Sequence, residues 1–453
     1  MPVHVEHEQF QQIGERLLNA MDANNTERVQ EILNQDLSAV DIAHIIESTP
    51  SKRRADIWKF LSESQKGEVI SHLSDDLQLH YLTKMSPEQV LEAIQDLDSD
   101  DFADVLQQLP ETNRIAVLHS MEPEDRREVE ELLAYPEDTA GGLMNPEVLT
   151  IRANVTLDVV LRYLRRQSDL PDQFDSLYVV NRNDQLVGTL PLHALLLGDP
   201  DTTVREVMNS DIEGIPAASR DSDVAKLFAN HDWISAPVVD EKGKLLGQIT
   251  IDDIVDVIRE EADHTVMSMA GLDEDEDAFA PVWSSAKGRA VWLGLNLLTA
   301  FIAALVILNF EDAIAMITAL AVMNPVVASM GGVAGSQTLT LVIRAQATGK
   351  INASNYLWLL GREFGVGLIN GFLWAIVTAF VCWLLFSNVQ LAIVSGIAIL
   401  ANITIAKISG ALLPVILEKL KIDPALSGSV ILTTVTDAVG FFTLLGLATW
   451  YLL

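Results

Sequence analysis

The chain has 453 residues and carries 63 Asp and Glu against 30 Lys and Arg, which gives a formal net charge of −33. Its length predicts about three domains. Such a surplus of acid excludes a protein that binds nucleic acid through its own charge, because that task needs a basic surface. The single cysteine excludes an intrachain disulfide framework and a cysteine-rich metal site, and it fits a cytoplasmic soluble part.

The first 136 residues have a helical period. A short apolar stretch follows a polar, cap-like start at residues 40–46, 88–94 and 101–106. Short helices of this kind cannot bury their apolar faces alone, so we expect them to stack into a small superhelix. The start of the chain is too acidic and too weakly apolar for a signal peptide. The sequence therefore predicts an acidic, all-α superhelical N-domain over residues 1–136.

A duplicated α/β unit follows. The run at 178–190 recurs at 237–249, and in each copy a strand, a polar turn and a second strand lead into a helix. The duplication resembles a tandem pair of CBS domains, which we assign to 137–200 and 201–262. The resemblance implies self-association and a regulatory ligand, with ATP or another adenine nucleotide as the candidate. The alternative that the pair only dimerises stays open.

Two acidic clusters flank the duplicated unit. The segment after it carries carboxylates at helical spacing, at Asp253, Asp256, Glu260 and Glu261. Like charges at such spacing repel, and solvent, salt or a divalent cation relieves the repulsion. A second cluster places Asp100 and Asp104 one helical turn apart. If the two surfaces meet, we expect the interface to open without a cation and close with one, although a solvated acidic helix face explains each cluster alone.

The C-terminal region is apolar. Residues 281–453 carry 8 Lys and Arg against 6 Asp and Glu, whereas residues 1–280 carry 22 against 57. A membrane span needs roughly 20 apolar residues, which predicts five spans near 290–310, 313–343, 364–386, 391–417 and 427–451. Asn324, Pro325 and a glycine cluster predict a break in the second span. The positive-inside rule places the N-terminus in the cytoplasm and the C-terminus outside.

Asp437 lies inside the last apolar stretch. An ionised side chain is costly in hydrocarbon, so it usually faces an aqueous path or a partner charge. Asp437 is therefore the leading candidate for a cation site. Lys407 offers the alternative, because at 1.5 Å per residue both side chains lie roughly 15 Å deep, and a buried pair would neutralise both.

Four segments carry a family resemblance: GlyGlyLeuMetAsnPro (141–146), IleAspAspIleValAspValIle (251–258), the run 324–337 and the run 423–442. Together with the domain order they resemble the MgtE family of magnesium transporters and channels. The resemblance implies a connecting (plug) helix at 263–285 and a transmembrane domain of five helices at 286–453. It also implies that the protein is a homodimer that contacts membrane lipid, with an ion path lined by the second and fifth spans.

The resemblance assigns residues to magnesium. Asp437 matches the pore aspartate that holds the hydrated ion, and the regulatory positions match Asp100, Asp104, Asp232, Asp253, Asp256 and Glu261. Two departures stand out. Val333 replaces an Asn that family members often have, and residues 262–265 read AlaAspHisThr instead of AlaThrGluAsp. One or two regulatory sites are therefore expected to be weaker or absent, with Asp263 as the candidate substitute.

These observations predict a multi-pass protein of the bacterial inner membrane that imports Mg²⁺ and closes when cytosolic Mg²⁺ binds between the N-domain, the CBS pair and the connecting helix. The sequence contains no P-loop and no Ser/His/Asp or Cys/His arrangement that stands out, so we do not expect an enzyme. A non-conducting CBS-containing membrane sensor of ions or nucleotides is the alternative. A transporter of anions or organic solutes would need midplane basic groups, of which Lys407 is the one candidate.

Overall fold

The computed structural model describes residues 13–17, 19–21, 23, 25–33, 37–94, 97, 99–167, 175–272, 276–351 and 354–453. The chain forms two compact units. The first contains the residues up to Glu261 together with Asp277–Pro281, and the second contains Ala262–Glu276 and Val282–Leu453.

The first unit begins with short stacked helices. After a helical stretch at 13–17 and 19–21 (α1) come α2 to α10, at Thr26–Leu33, Ala39–Glu47, Ser51–Phe60, Glu63–Ile70, Asp75–Leu82, Pro87–Ile94, Ser99–Gln107, Glu111–Ser120 and Pro123–Leu132. Local sequence sets the boundaries: Ser38 and Ser62 form capping boxes, and Pro123 opens α10. The apolar faces meet in two buried clusters. The predicted all-α N-domain is confirmed.

The duplicated unit folds as two three-stranded sheets of identical topology, β1-β2-β3 and β4-β5-β6. In each, the first pair is parallel and the second antiparallel. The elements, in chain order, are β1 Thr150–Arg152, α11 Leu157–Leu164, β2 Ser176–Val180, β3 Leu186–Pro191, α12 Leu192–Leu197, α13 Val204–Val207, β4 Ile215–Pro216, α14 Asp221–His231, β5 Ser235–Val239 and β6 Leu245–Thr250.

The two copies are linked by matching close approaches. A Cβ on Gly188 would lie 2.6 Å from the Asn209 carbonyl oxygen, and a Cβ on Gly247 would lie 2.6 Å from the Asn145 carbonyl oxygen. Only glycine allows backbone contacts this close. Asn145 and Asn209 belong to the repeated MetAsn motif, so the sequence repeat reflects a repeated packing contact.

The connecting helix differs from its predicted bounds. It runs from Ile251 to Met269 (α15), directly after β6, and the next helix begins at Val282. The prediction of one helix over 263–285 is therefore wrong. Gly271 follows with a positive φ of 72°, a conformation that glycine adopts without strain.

Within the described residues, five helices are long and apolar enough to cross a membrane. We call them span 1 to span 5: Val282–Leu308, Ala319–Ala347, Tyr356–Phe386, Val389–Lys419 and Pro424–Leu452. A short helix, α16 (Glu311–Met316), lies between spans 1 and 2. Span 4 is the most buried of the five, and it packs against spans 2, 3 and 5.

The predicted break in the second span is not where the sequence placed it. Span 2 is continuous through Pro325, because a proline in the second turn removes one backbone donor and leaves the rest of the ladder intact. The interruption lies instead at Ile317, where the backbone leaves the helical region at φ −128° and ψ 83°. Span 3 also begins eight residues earlier than predicted, which brings Glu363 inside it.

A buried ion pair ties the segment before span 1 to the helical domain of the first unit. The Arg54 guanidinium donates to both carboxylate oxygens of Asp277, at 2.5 and 2.9 Å. Its remaining donors reach the carbonyl oxygens of Thr49 and Glu47. The Arg54 side chain is only 4 % exposed, so the two carbonyls and the carboxylate together satisfy a charge that water does not reach.

We expect Arg54→Met to destabilise the first unit by about 3 kcal/mol, because it leaves a largely buried carboxylate without its partner. The midpoint of the first thermal transition of the full-length protein should fall by about 6–12 °C. Lys59→Met is the matched control, since its ion pair with Asp56 is exposed and such pairs contribute little. Equal midpoints for the two variants would contradict this reading.

Candidate functional site

A polar groove runs along one face of the membrane unit. Its cavity has a volume of about 690 Å³ and is lined by Ser329, Gly332, Val333, Ser336, Gln337, Thr340 and Thr433. All but Thr433 belong to span 2, at spacings of three or four residues, so they share one face of that helix. The opposite face of span 2 is buried. Span 2 therefore forms one wall of the groove: one face of the helix lines the groove with polar side chains, and the opposite face packs against the neighbouring helices.

Asp437 lies on span 5 one helical turn after the groove-lining Thr433, so the two residues share one side of that helix. Asp437 itself is not among the residues that line the cavity. Its side chain is half-buried. Among the described residues, no Lys, Arg or His forms an ion pair with it. Nearby hydroxyl groups are turned to their own helix, since Thr433 donates to the Ser429 carbonyl at 2.9 Å and Thr434 donates to Val430. Their lone pairs stay available to accept bonds from water.

Lys407 does not neutralise Asp437. Its ammonium donates to the Thr338 hydroxyl at 3.2 Å and to the Ala334 carbonyl at 3.4 Å, and it lies 4.0 Å from the Glu363 carboxylate. The alternative of a Lys407–Asp437 pair is therefore wrong. The sequence analysis missed Glu363 because it began the third span at residue 364, one residue after Glu363. The rule that singled out Asp437, an acid within an apolar helix, would have found it.

The first unit contains a second group of carboxylates. Asp100 and Asp104 lie on α8, as the spacing predicted, and Asp100 accepts a hydrogen bond from the Asn145 side chain at 3.3 Å. Asp253 caps the start of α15, where it accepts bonds from the Thr250 amide and hydroxyl. The structure thus brings one carboxylate of the connecting helix close to two of the N-domain.

The electrostatics of this cluster are unfavourable without a cation. Burial, with the Asp253 charge as the next cause, raises the pKa of Asp100 to about 8. Burial and the nearby Glu137 and Asp100 raise the pKa of Asp104 to about 8. Burial also raises the pKa of Asp253 to about 6. Glu137 is a member that the sequence analysis missed, because it is distant in sequence and follows a proline outside any helix.

The other predicted regulatory residues lie outside this cluster. Asp256 and Glu261 are exposed on α15. Asp232 is exposed at the C-terminal cap of α14, with a left-handed φ of 53°. None of the three is among the main charges acting on Asp100, Asp104 or Asp253. In the part of the chain that the structure describes, no three His, Cys, Asp or Glu side chains converge closely enough to hold one metal ion directly.

Comparisons with known proteins agree with this arrangement. Profiles match the MgtE divalent cation transporter over residues 324–447, the MgtE intracellular N domain over 37–138, and the CBS domain over 140–198 and 204–260. The magnesium transporter MgtE of Bacillus subtilis is 31% identical over 417 residues, which is 92% of each chain. The magnesium transporter MgtE of Thermus thermophilus is 32% identical over 440 residues, 95% of this chain and 97% of that one.

A solved structure is similar to the first unit. It is the crystal structure of the cytosolic domain of the Mg²⁺ channel MgtE in complex with ATP, 34% identical, with a TM-score of 0.49, covering 54% of this chain and 99% of that one. Fold and site together define a membrane protein with five apolar helices, a helical N domain and a CBS pair. The chain belongs to the MgtE family of divalent cation transporters.

The raised pKa values predict a coupling between pH and magnesium. A carboxyl whose pKa is higher in the folded state stabilises that state at low pH, and the contribution is lost as pH rises through the folded value. Without magnesium, the temperature of the thermal midpoint should therefore decrease as the pH rises from about 5 to about 9. Because a bound cation offsets the ionised carboxylates, added magnesium should raise the midpoint more at the upper end of that range than at the lower end.

The double variant Asp100→Asn with Asp104→Asn should lose most of this pH-dependent response in a thermal-shift assay. Asp56→Asn is the control, because Asp56 is an exposed acid on the same domain. A magnesium response that is equal at both ends of the pH range, or unchanged in the double variant, would contradict the assignment.

Proposed function

We propose that the protein is a magnesium-selective channel or transporter that imports Mg²⁺ and carries its own cytosolic sensor. The observation that carries the proposal is Asp437, a carboxylate without an ion-pair partner among the described residues, on the groove side of a membrane-spanning helix. Intramembrane acids that are not paired mark ion pathways. Two relatives that match almost the full length of the chain are named magnesium transporters.

The chemistry of the groove suits a hydrated ion. Magnesium prefers octahedral oxygen coordination and gives up its water reluctantly, so it binds best through few carboxylates and several retained waters. Hydroxyl and amide side chains such as Ser336, Gln337 and Thr433 offer second contacts through that water. Weak binding of this kind also allows release, which conduction requires.

The groove is incomplete in one chain. Hydroxyl, amide and glycine residues on one face of span 2 are poorly suited to contact with lipid, since polar groups in hydrocarbon are costly. A second copy that covers this face would enclose the groove and bring a second acid to the path. This supports the homodimer that the family resemblance implies.

The carboxylate cluster supports the sensor. Asp100, Asp104 and Asp253 repel one another when ionised, and a cation between them would favour the arrangement in which they are close. Closure at high cytosolic magnesium and opening at low magnesium follow from that preference. Water-mediated binding is consistent with the lack of a direct three-ligand site. The cytoplasmic N-terminus, the external C-terminus and ATP as a ligand of the CBS pair are further parts of the proposal.

Transport is tested by magnesium flux into liposomes that contain the full-length protein. Asp437→Ala should lower the flux about tenfold or more, because it removes the acid from the groove. Asp312→Ala is the matched control, since Asp312 is an exposed acid of the membrane unit outside the five spans. Equal flux for the native protein and Asp437→Ala would contradict the pore assignment. No flux at low internal magnesium would favour the non-conducting sensor.

Regulation is tested by limited proteolysis of the segment between Met269 and Val282. Millimolar magnesium should slow its cleavage in the native protein, and the double variant Asp253→Asn with Asp256→Asn should reduce that protection. Asp158→Asn is the matched control, because the Asp158 side chain on α11 of the first unit is half exposed and belongs to none of the predicted regulatory positions. Cleavage that is insensitive to magnesium in the native protein would count against the sensor and leave the pore assignment intact.

A further inference from the structure

We propose that Lys407, Glu363 and Thr338 form a positioning anchor that holds span 2 from behind and thereby sets the size selectivity of the groove for cations. The inference rests on the proposed transport function. It concerns side chains that do not line the groove, and it is carried by their contacts within the membrane unit.

The anchor joins three helices. The Thr338 hydroxyl of span 2 donates to the Glu363 carboxylate of span 3 at 2.8 Å and accepts from the Lys407 ammonium of span 4 at 3.2 Å. The hydroxyl needs only its one proton for these two bonds, because it donates that proton to Glu363 and accepts a proton from the ammonium. The exposed Arg362 donates to the other Glu363 oxygen at 2.7 Å. The buried acid Glu363 and the buried base Lys407 therefore both have hydrogen-bonding partners.

Burial makes these contacts consequential. Thr338, Glu363 and Lys407 are 1%, 3% and 4% exposed. Replacing a buried ion pair by apolar groups is often tolerated, whereas removing one partner leaves an unpaired charge and is strongly unfavourable. The pair is thus weak evidence for stability as such. Its distinctive effect is geometric, because charged and bidirectional hydrogen bonds accept only one alignment of the three helices.

The anchored residues are next to the groove wall. Lys407 also donates to the carbonyl of Ala334, and Ala334 and Thr338 directly follow the groove-lining Val333 and Gln337 in the chain. A displacement of the anchored turn therefore moves the wall by the same amount. Conduction sites discriminate between ions by cavity size and by the placement of their oxygens.

Two further contacts show that span 4 holds the backbone of span 2. A Cβ on Gly410 would lie 2.5 Å from the Gly335 carbonyl oxygen, so the two helices touch through their backbones one turn from Lys407. About two turns nearer the start of span 2, the Asn402 amide donates to the Val327 carbonyl at 2.7 Å. Span 2 is thus fixed along the length of the groove, and Lys407 contributes the charged contact.

The first test compares two variants of Thr338. Thr338→Val keeps the shape and removes both hydrogen bonds, and Thr338→Ser keeps the hydroxyl. Liposome flux of Ca²⁺ and Mg²⁺ is measured per amount of folded, reconstituted protein. Because a looser wall admits the larger ion more readily, Thr338→Val should raise the Ca²⁺ to Mg²⁺ ratio about threefold or more, and Thr338→Ser should restore it.

The second test uses the charges. Glu363→Gln and Lys407→Met should each alter the ratio, and the double variant should be closer to the native ratio than either single variant, because neither charge is left unpaired. Ser395→Ala is the matched control. Ser395 is fully buried on span 4, and its hydroxyl contacts the Cys382 sulfur of span 3 at 3.7 Å.

A purely structural role gives a different result. In that case the variants lower the thermal midpoint or the yield, as we expect of Ser395→Ala, and the ratio of Ca²⁺ to Mg²⁺ flux per folded protein stays native; this outcome overturns the anchor. Native Mg²⁺ flux that depends on Asp437 while all anchor variants keep the native ratio overturns the anchor alone. Absence of Mg²⁺ flux from the native protein overturns the proposed function and the anchor with it.

Discussion

The cost of an ionised side chain in a low-dielectric environment organises this membrane unit. Glu363 and Lys407 meet that cost by pairing with each other through Thr338. Asp437 has no such partner among the described residues, and it lies one helical turn from Thr433, which lines the groove. A charge that is paired holds helices together, whereas a charge that is left beside polar side chains has the environment of an ion site.

The cost of burying a charge also shapes the first unit. Asp100, Asp104 and Asp253 are driven towards their neutral forms by burial first and by nearby carboxylates second, with pKa values raised to about 8, 8 and 6. Arg54 shows the opposite solution, since its guanidinium is fully used by a carboxylate and two carbonyls. Arg54 is satisfied within the fold, whereas the few hydrogen bonds that the carboxylates accept do not offset their burial, so protons or cations stabilise them further.

Packing at glycines helps to explain how span 2 carries a polar face towards the groove while its other face packs closely against its neighbours. Gly335 and Gly410 let spans 2 and 4 meet through their backbones, so the back of span 2 is held by close packing and by a few directed polar contacts. Small residues at helix contacts are a general device for close approach in membranes. The front is then free to carry Ser, Gln and Thr, at the cost that lipid cannot cover it.

The sequence by itself determined the helical N-domain, the duplicated α/β unit and the number of spans, and it singled out Asp437 as a candidate, because periodicity, repetition and charge within apolar runs are local signals. Only the tertiary structure decided that Lys407 belongs to Glu363, that Glu137 joins the acidic cluster, and that span 2 continues through Pro325. Each of these depends on which side chains meet across helices or on how a helix tolerates one lost bond, and residue spacing along the chain does not encode either.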